Sequence, residues 1–206
     1  MKMRLKNIIT ASIIAMTLMS CSGELQQADY RVIPLPKEIT ENTTESPFTL
    51  SKNVVIAYPK TQSELSKEAS FLSEYLNEIL GYSLKVEETD EVKNNAINLI
   101  IDPSLFTEND AYKIIINQDN IKVIGSNTSS VFYAIQTLRK SLPFDAEGEK
   151  ISMPSGEIYD YPRFGHRGMM LDVSRHIFEL DSIKEFIDVM ALHNMNKFHL
   201  HITDDQ

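Results

Sequence analysis

Gly168-Met169-Met170-Leu171-Asp172-Val173-Ser174-Arg175-His176 and, further on, Lys197-Phe198-His199-Leu200-His201-Ile202-Thr203-Asp204-Asp205-Gln206 decide the fold. Each reads as an apolar strand that closes on polar residues, the second running from Lys197 to Thr203. Between them Asp181-Ser182 stands three residues ahead of Glu185, a capping-box spacing for Ser182. Ile183, Phe186, Ile187, Met190 and Ala191 then fall on one helical face. Strand, helix, strand with short links is a βαβ unit, which predicts a parallel pair and a right-handed crossover. Both strands carry their charged and histidine residues at the C-terminal end, where an α/β barrel keeps its active site. A closed barrel takes about 250 residues, and only residues 161–206 follow the change of character at Tyr161. The expectation is therefore the first strand–helix–strand of a (β/α)8 barrel, truncated at Gln206.

Upstream, residues 30–160 read as a small α+β domain. Val32-Ile33-Pro34-Leu35-Pro36 is an extended lead-in, since proline steers the residue before it away from helix. Strands are expected at Asn53–Tyr58, Tyr82–Val86 and Ala96–Ile101, the last stopped by Asp102-Pro103. Between the first two, Leu65, Ala69, Leu72, Tyr75, Leu76, Ile79 and Leu80 make a helical stripe over residues 63–80, with Gly81 at the C-terminal cap. Tyr112–Asn117 and Ile121–Gly125 flank Gln118-Asp119-Asn120 as a hairpin. A second helix starts near Asn127 or Thr128, turns Val131, Ala134, Ile135, Leu138 and Leu142 inward, and ends at Pro143.

The N-terminus reads as an export signal. Lys2, Arg4 and Lys6 precede the apolar run Ile8–Met19, which is too short to span a bilayer needing about 20 apolar residues. Leu18-Met19-Ser20-Cys21 resembles a lipobox. Residues 1–20 are then a lipoprotein signal, Cys21 the lipidated first residue, and 21–29 a polar tether. An ordinary secretory signal with a chance cysteine is the alternative. Cys21 is the only cysteine, so no disulfide framework competes for it. The destination is the cell envelope, with the membrane as partner through the lipid.

The chain has 206 residues and a formal net charge of −9, with no basic stripe. Nucleic acid is excluded as a partner, because phosphate contacts need clustered Lys and Arg. Arg175, just past the first strand, can fork donors onto sugar hydroxyls or a carboxylate, or form a rim salt bridge. His199 and His201 share a strand face by alternation and either pack inside the barrel, orient carboxylates or bind a metal. Packing is the preferred reading, and no metal site is assigned. Asp204 and Asp205 are adjacent, so an extended strand cannot aim both at one site. Asp90-Glu91 belongs to a polar loop, and His193 to the end of the helix.

Tyr161-Pro162-Arg163-Phe164, His166-Arg167-Gly168 through His176, and Asn196 through Gln206 together resemble the opening of the catalytic barrel of glycoside hydrolase family 20, the β-N-acetylhexosaminidases. Ala134-Ile135-Gln136-Thr137-Leu138 is similar to a helix of the small domain ahead of that barrel. The resemblance implies removal of terminal non-reducing N-acetylglucosamine or N-acetylgalactosamine from glycans, with retention. The substrate's own 2-acetamido group attacks the anomeric carbon, an exception to the two-carboxylate scheme, and no cofactor is needed. It implies that Arg175 binds hydroxyls of the terminal sugar, and that His201 and Asp204 are supporting active-site residues. The family's catalytic Asp-Glu pair and the tryptophans of its acetamide pocket have no match here, and the chain holds no Trp. No catalytic residue is therefore assigned, and this chain by itself is expected to be inactive. Alternatives that the residues leave open are a hyaluronidase-like or O-GlcNAcase-like barrel, a metal-dependent amidohydrolase using His199 and His201, and a non-catalytic glycan-binding lipoprotein.

Overall fold

The computed structural model describes residues 25–146, 148 and 150–203. Cys21, the signal at 1–20 and Asp204 lie outside the described residues. Seven strands form the central mixed sheet: β2 (Glu38–Glu41), β4 (Val55–Tyr58), β5 (Lys85–Glu88), β6 (Ala96–Ile101), β7 (Tyr112–Ile116), β8 (Asn120–Gly125) and β10 (Gly156–Asp160). Their spatial order is β2-β10-β7-β8-β6-β4-β5. The β8-β6-β4-β5 half is parallel, and the β2-β10-β7-β8 half antiparallel. A smaller sheet, β1-β9-β3, is made by β1 (Gln26–Gln27), β3 (Phe48–Leu50) and β9 (Ile151–Met153).

Two helices lie side by side on the large sheet, α1 (Ser66–Leu80) and α2 (Thr128–Ser141). Leu65, Ala69, Leu72, Leu76 and Leu80 recur at helical spacing and are all buried, which is why α1 adheres to the sheet. Gly81 takes the left-handed conformation (φ 71°) and returns its N–H to the Asn77 carbonyl, ending α1 as its sequence requires. α2 starts with a reciprocal box: Asn127 Oδ1 accepts from the Ser130 N–H, and Ser130 Oγ accepts from the Asn127 N–H, both at 2.9 Å. The hairpin turn is closed by Asn117, whose Oδ1 accepts from the N–H groups of Asp119 and Asn120.

Four expectations are corrected. The strand expected at Tyr82–Val86 runs Lys85–Glu88, because Leu84 is drawn into the core ahead of it. The tether ends earlier than residue 29: Gln26–Gln27 already pairs with β9, and Ala28 and Tyr30 are buried to 4% and 3% exposure. The helix expected to begin at Ser182 is α3 (Leu180–Leu192), and its N-cap, Glu179, makes no side-chain capping bond. Ser182 thus falls inside the first turn, where no capping box can form. The last strand, β12 (Lys197–His201), stops two residues short of Thr203.

The second unit consists of β11 (Gly168–Asp172), α3 and β12, with β11 and β12 parallel. It meets the small domain through two cations. The Lys140 ammonium, at the end of α2, donates to the carbonyls of Leu192 (2.7 Å) and Ile33 (2.8 Å). The Arg167 guanidinium lies 5.0 Å from the centre of the Tyr133 ring and donates through Nε to the Asn194 carbonyl at 2.7 Å. Cations at the last carbonyls of α3 also complement its dipole. A cavity of about 240 Å³ beside them is lined by Lys37, Tyr112, Asp160, Tyr161, Arg167 and His193, among others.

α2 is set on the sheet by Gly125 at the end of β8. A Cβ there would stand 2.5 Å from Ser130 Oγ and 2.8 Å from the backbone nitrogen of Val131. Gly125→Ala should destabilise the domain by ~1–3 kcal/mol through overpacking, read as a lower thermal midpoint. An unchanged midpoint would mean that α2 shifts at no cost.

Burial pushes the Lys140 amine down from 10.5 to about 8, against the opposing pull of Asp160 and with a small further push from Arg139. The unfolded chain then binds more protons than the folded one between pH 8 and 10.5, so this residue makes stability rise with pH across that window. Relative to wild type, Lys140→Met should lose that rise in denaturant titrations from pH 7 to 10.5. Parallel pH profiles would show that the amine is not desolvated.

Candidate functional site

Register places Asp172 opposite His201 and Met170 opposite His199. Strand alternation therefore gathers Met170, Asp172, His199 and His201 on one face, and Met169, Leu171, Phe198 and Leu200 on the other. Phe186 of α3 packs on Phe198 with ring centroids 5.7 Å apart, so the helix covers the second face. The first face, with both histidines and the aspartate, is the one that a barrel would enclose. The imidazoles of His199 and His201 are 6.3 Å apart. Among the described residues no group of three His, Cys, Asp or Glu side chains gathers as a metal site.

Asp172 is the centre of this arrangement. Its Oδ1 accepts from the backbone N–H groups of Ser174 (3.0 Å) and Arg175 (3.1 Å), which turns the chain sharply as it leaves β11. Its Oδ2 lies 3.5 Å from Arg175 Nη1. The Arg175 amide, then the Ser174 amide, then the charges of His201 and Arg175 hold the Asp172 carboxyl below the usual carboxylate range. Arg175 itself is 67% exposed at the strand tip. The rim salt bridge is thus formed at the strand tip. His201 is half-buried, and its Nε2 is shielded without a hydrogen-bond partner among the described residues. The imidazole thus stands beside Asp172 on the face opposite α3.

The roots of the strands are tied as well. Asn196 Oδ1 accepts from the Arg167 N–H at 3.0 Å, its Nδ2 donates to the Gly165 carbonyl at 2.9 Å, and its own N–H donates to the Arg167 carbonyl at 2.8 Å. This clip joins the chain entering β11 to the chain entering β12. Of the residues expected at the site, Arg175 and His201 are brought together around Asp172, and Asp204 lies outside the described residues. Asp90 sits apart, accepting from the Lys60 N–H in a loop of the small domain at 3.0 Å. His193 is the C-cap of α3, at the other end of the unit from Arg175. Sequence reasoning assigned no role to Asp172 or Asn196. The Asp-x-Ser spacing of 172–174 is a side-chain turn signature that points to the first. Nothing local marks the second.

Asp172→Ala should release the Ser174 and Arg175 amides, while Asp172→Asn, which keeps Oδ1, should hold them. Their ¹H–¹⁵N resonances report this directly. In wild type both resonances should stay fixed as pH falls to the ordinary carboxylate value of 3.8 and move only below it, since the lowered carboxyl protonates late. Movement centred above 3.8 would contradict the assigned hydrogen bonds.

Comparison with known proteins matches this geometry to a described family. Residues 29–161 match "Glycosyl hydrolase family 20, domain 2", and residues 164–206 match "Glycosyl hydrolase family 20, catalytic domain". The chain is 32% identical over 203 residues to a beta-hexosaminidase of Porphyromonas gingivalis, covering 93% of this chain and 26% of the relative. Among solved structures it is similar to the GH20 beta-N-acetylhexosaminidase from Streptomyces coelicolor A3(2), with a TM-score of 0.74 and 29% identity over 89% of this chain and 37% of that one. It is also similar to the Streptomyces plicatus N-acetyl-beta-hexosaminidase in complex with Thio-NAglucal, with a TM-score of 0.72 and 29% identity over 85% of this chain and 35% of that one. The chain therefore spans well under half the length of the relatives it matches.

Proposed function

Because this chain belongs to glycosyl hydrolase family 20, we propose that it is the leading part of a β-N-acetylhexosaminidase that trims terminal N-acetylglucosamine or N-acetylgalactosamine from glycans. The observation that carries the proposal is the convergence of Asp172, Arg175 and His201 at the C-terminal ends of two parallel strands, on the face that α3 leaves open. In this reading β11, α3 and β12 open a closed (β/α)8 barrel, and the small domain buttresses the first helix through Lys140 and through Tyr133, which meets Arg167.

Arg175 is the sugar contact. Asp172 holds its backbone and pairs with its guanidinium at the strand tip, and the planar fork of an arginine suits hydroxyls of the non-reducing sugar. His201 and Asp204 support the site by orienting the carboxylates of the reaction. The substrate's acetamido oxygen attacks the anomeric carbon, a glutamic acid protonates the departing oxygen, and an aspartate orients the acetamide. Water then opens the cyclic intermediate with overall retention. We assign that Asp-Glu pair to a later strand of the barrel, since Asp90-Glu91 of this chain lies in a loop of the small domain. Cys21 carries the lipid that holds the protein at the cell envelope.

The test is hydrolysis of 4-nitrophenyl N-acetyl-β-D-glucosaminide. A product of the gene that runs on through the barrel should release nitrophenol, and residues 1–206 alone should not. In the active product Arg175→Ala should lower kcat/KM by roughly 10–100-fold, the value of one or two charge-assisted hydrogen bonds. Full activity in that variant removes Arg175 from the site. Turnover by residues 1–206 alone would overturn the assignment of the Asp-Glu pair.

A further inference from the structure

The N-terminal chain enters the small domain beside a fully exposed phenyl ring. Residues 26–29 run next to residues 141–145, with the Asp29 N–H donating to the Ser141 carbonyl at 2.9 Å and Gln26 Nε2 donating to the Asp145 carbonyl at 3.4 Å. Between Ser141 and Asp145 in the chain stands Phe144, 102% exposed. Leu25, the first described residue, is 44% exposed at the same corner. A phenyl ring held wholly in water forgoes the gain of burial that such a side chain normally takes. Among the described residues none covers it.

Covalent geometry limits how far this corner can stand from a lipid on Cys21. Four peptide links separate Cys21 from Leu25, and at about 3.6 Å per residue they reach at most ~14 Å. With the tether shortened by the pairing of Gln26–Gln27 to β9, that reach is the farthest this corner can stand from the bilayer. We propose that the corner formed by Leu25 and Phe144 is the membrane-facing surface of the protein, with the Phe144 ring seated at the headgroup level of a zwitterionic lipid leaflet. The inference rests on the lipid-anchor reading of Cys21. The acyl chains supply the affinity and the aromatic ring supplies the orientation, the division of labour expected when one anchor is covalent. The contact is apolar rather than electrostatic. The segment after Phe144 carries Asp145, Glu147 and Glu149 against Lys150 alone, so anionic lipid would be repelled, not recruited.

The experiment uses the full chain lipidated at Cys21 in phosphatidylcholine–phosphatidylethanolamine vesicles. Cys21 is the only native cysteine, so once it is thioether-linked a bimane can be placed uniquely at Phe144→Cys. The reference position is Lys67→Cys, at the start of α1. The Gly148 N–H bonds the Leu80 carbonyl, so the Phe144 loop abuts the other end of that helix, ~20 Å away at 1.5 Å per residue. A nitroxide on the lipid headgroup should quench the label at 144 by about twofold or more and the label at 67 hardly at all, with little change in high salt. Equal quenching at the two positions, in protein that floats with the vesicles, overturns the orientation and leaves the anchor standing. Protein that does not float, or a Cys21→Ser variant that floats as well as wild type, removes the anchor reading and this inference with it.

Discussion

The parallel pairing of Gly168–Asp172 with Lys197–His201 is the constraint on which the functional reading depends. It is held at both ends by side chains rather than by the ladder alone. At the roots Asn196 bridges Gly165 and Arg167, and at the tips Asp172 ties down the turn that carries Arg175. A two-stranded sheet is marginal in water without support. Here support comes from α3 on one face and from the small domain through the carbonyls at the end of that helix.

That second support explains why a small α+β domain travels with the unit. Gly125 lets α2 sit close on the sheet, α2 presents Tyr133 and Lys140, and these meet Arg167 and Leu192. The chain of contacts runs from a residue without a side chain to the segment that precedes β12. Desolvating an ammonium is costly unless acceptors replace its water. Lys140 recovers part of that cost from two main-chain oxygens, Ile33 and Leu192, which lie far apart in sequence. A half-buried polar junction of this kind fixes one relative placement, where an apolar patch would tolerate sliding.

Much of this was legible in the residues. Ala96–Ile101 is strand in both readings, because an apolar run bounded by Asp-Pro leaves little alternative. The hairpin around Asn117 and the cap at Asn127 follow from side chains that act on their own backbone. Such local chemistry needs no knowledge of the fold. The pairing of both histidines on one face followed from alternation alone, and the family resemblance from two motifs at the strand ends. Long-range choices were not legible. Leu84 decides where β5 begins, and it is drawn inward by a core that no local window contains. The pairing of Gln26–Gln27 with β9 joins residues over a hundred positions apart, so a polar stretch that reads as tether becomes sheet. Asp172 gained its importance only when its turn brought Arg175 back beside it.

The alternation of side chains along β11 and β12 sets what kind of change the unit can absorb. Parity in a strand works like a reading frame: one residue gained or lost within Gly168–Asp172 would exchange Asp172 with its neighbour and send the aspartate toward α3. Length changes between Val173 and Met195 leave both frames intact, because the Asn196 clip restarts the second strand in phase. The unit can therefore absorb a longer or shorter connection between the strands, but not a residue gained or lost within them.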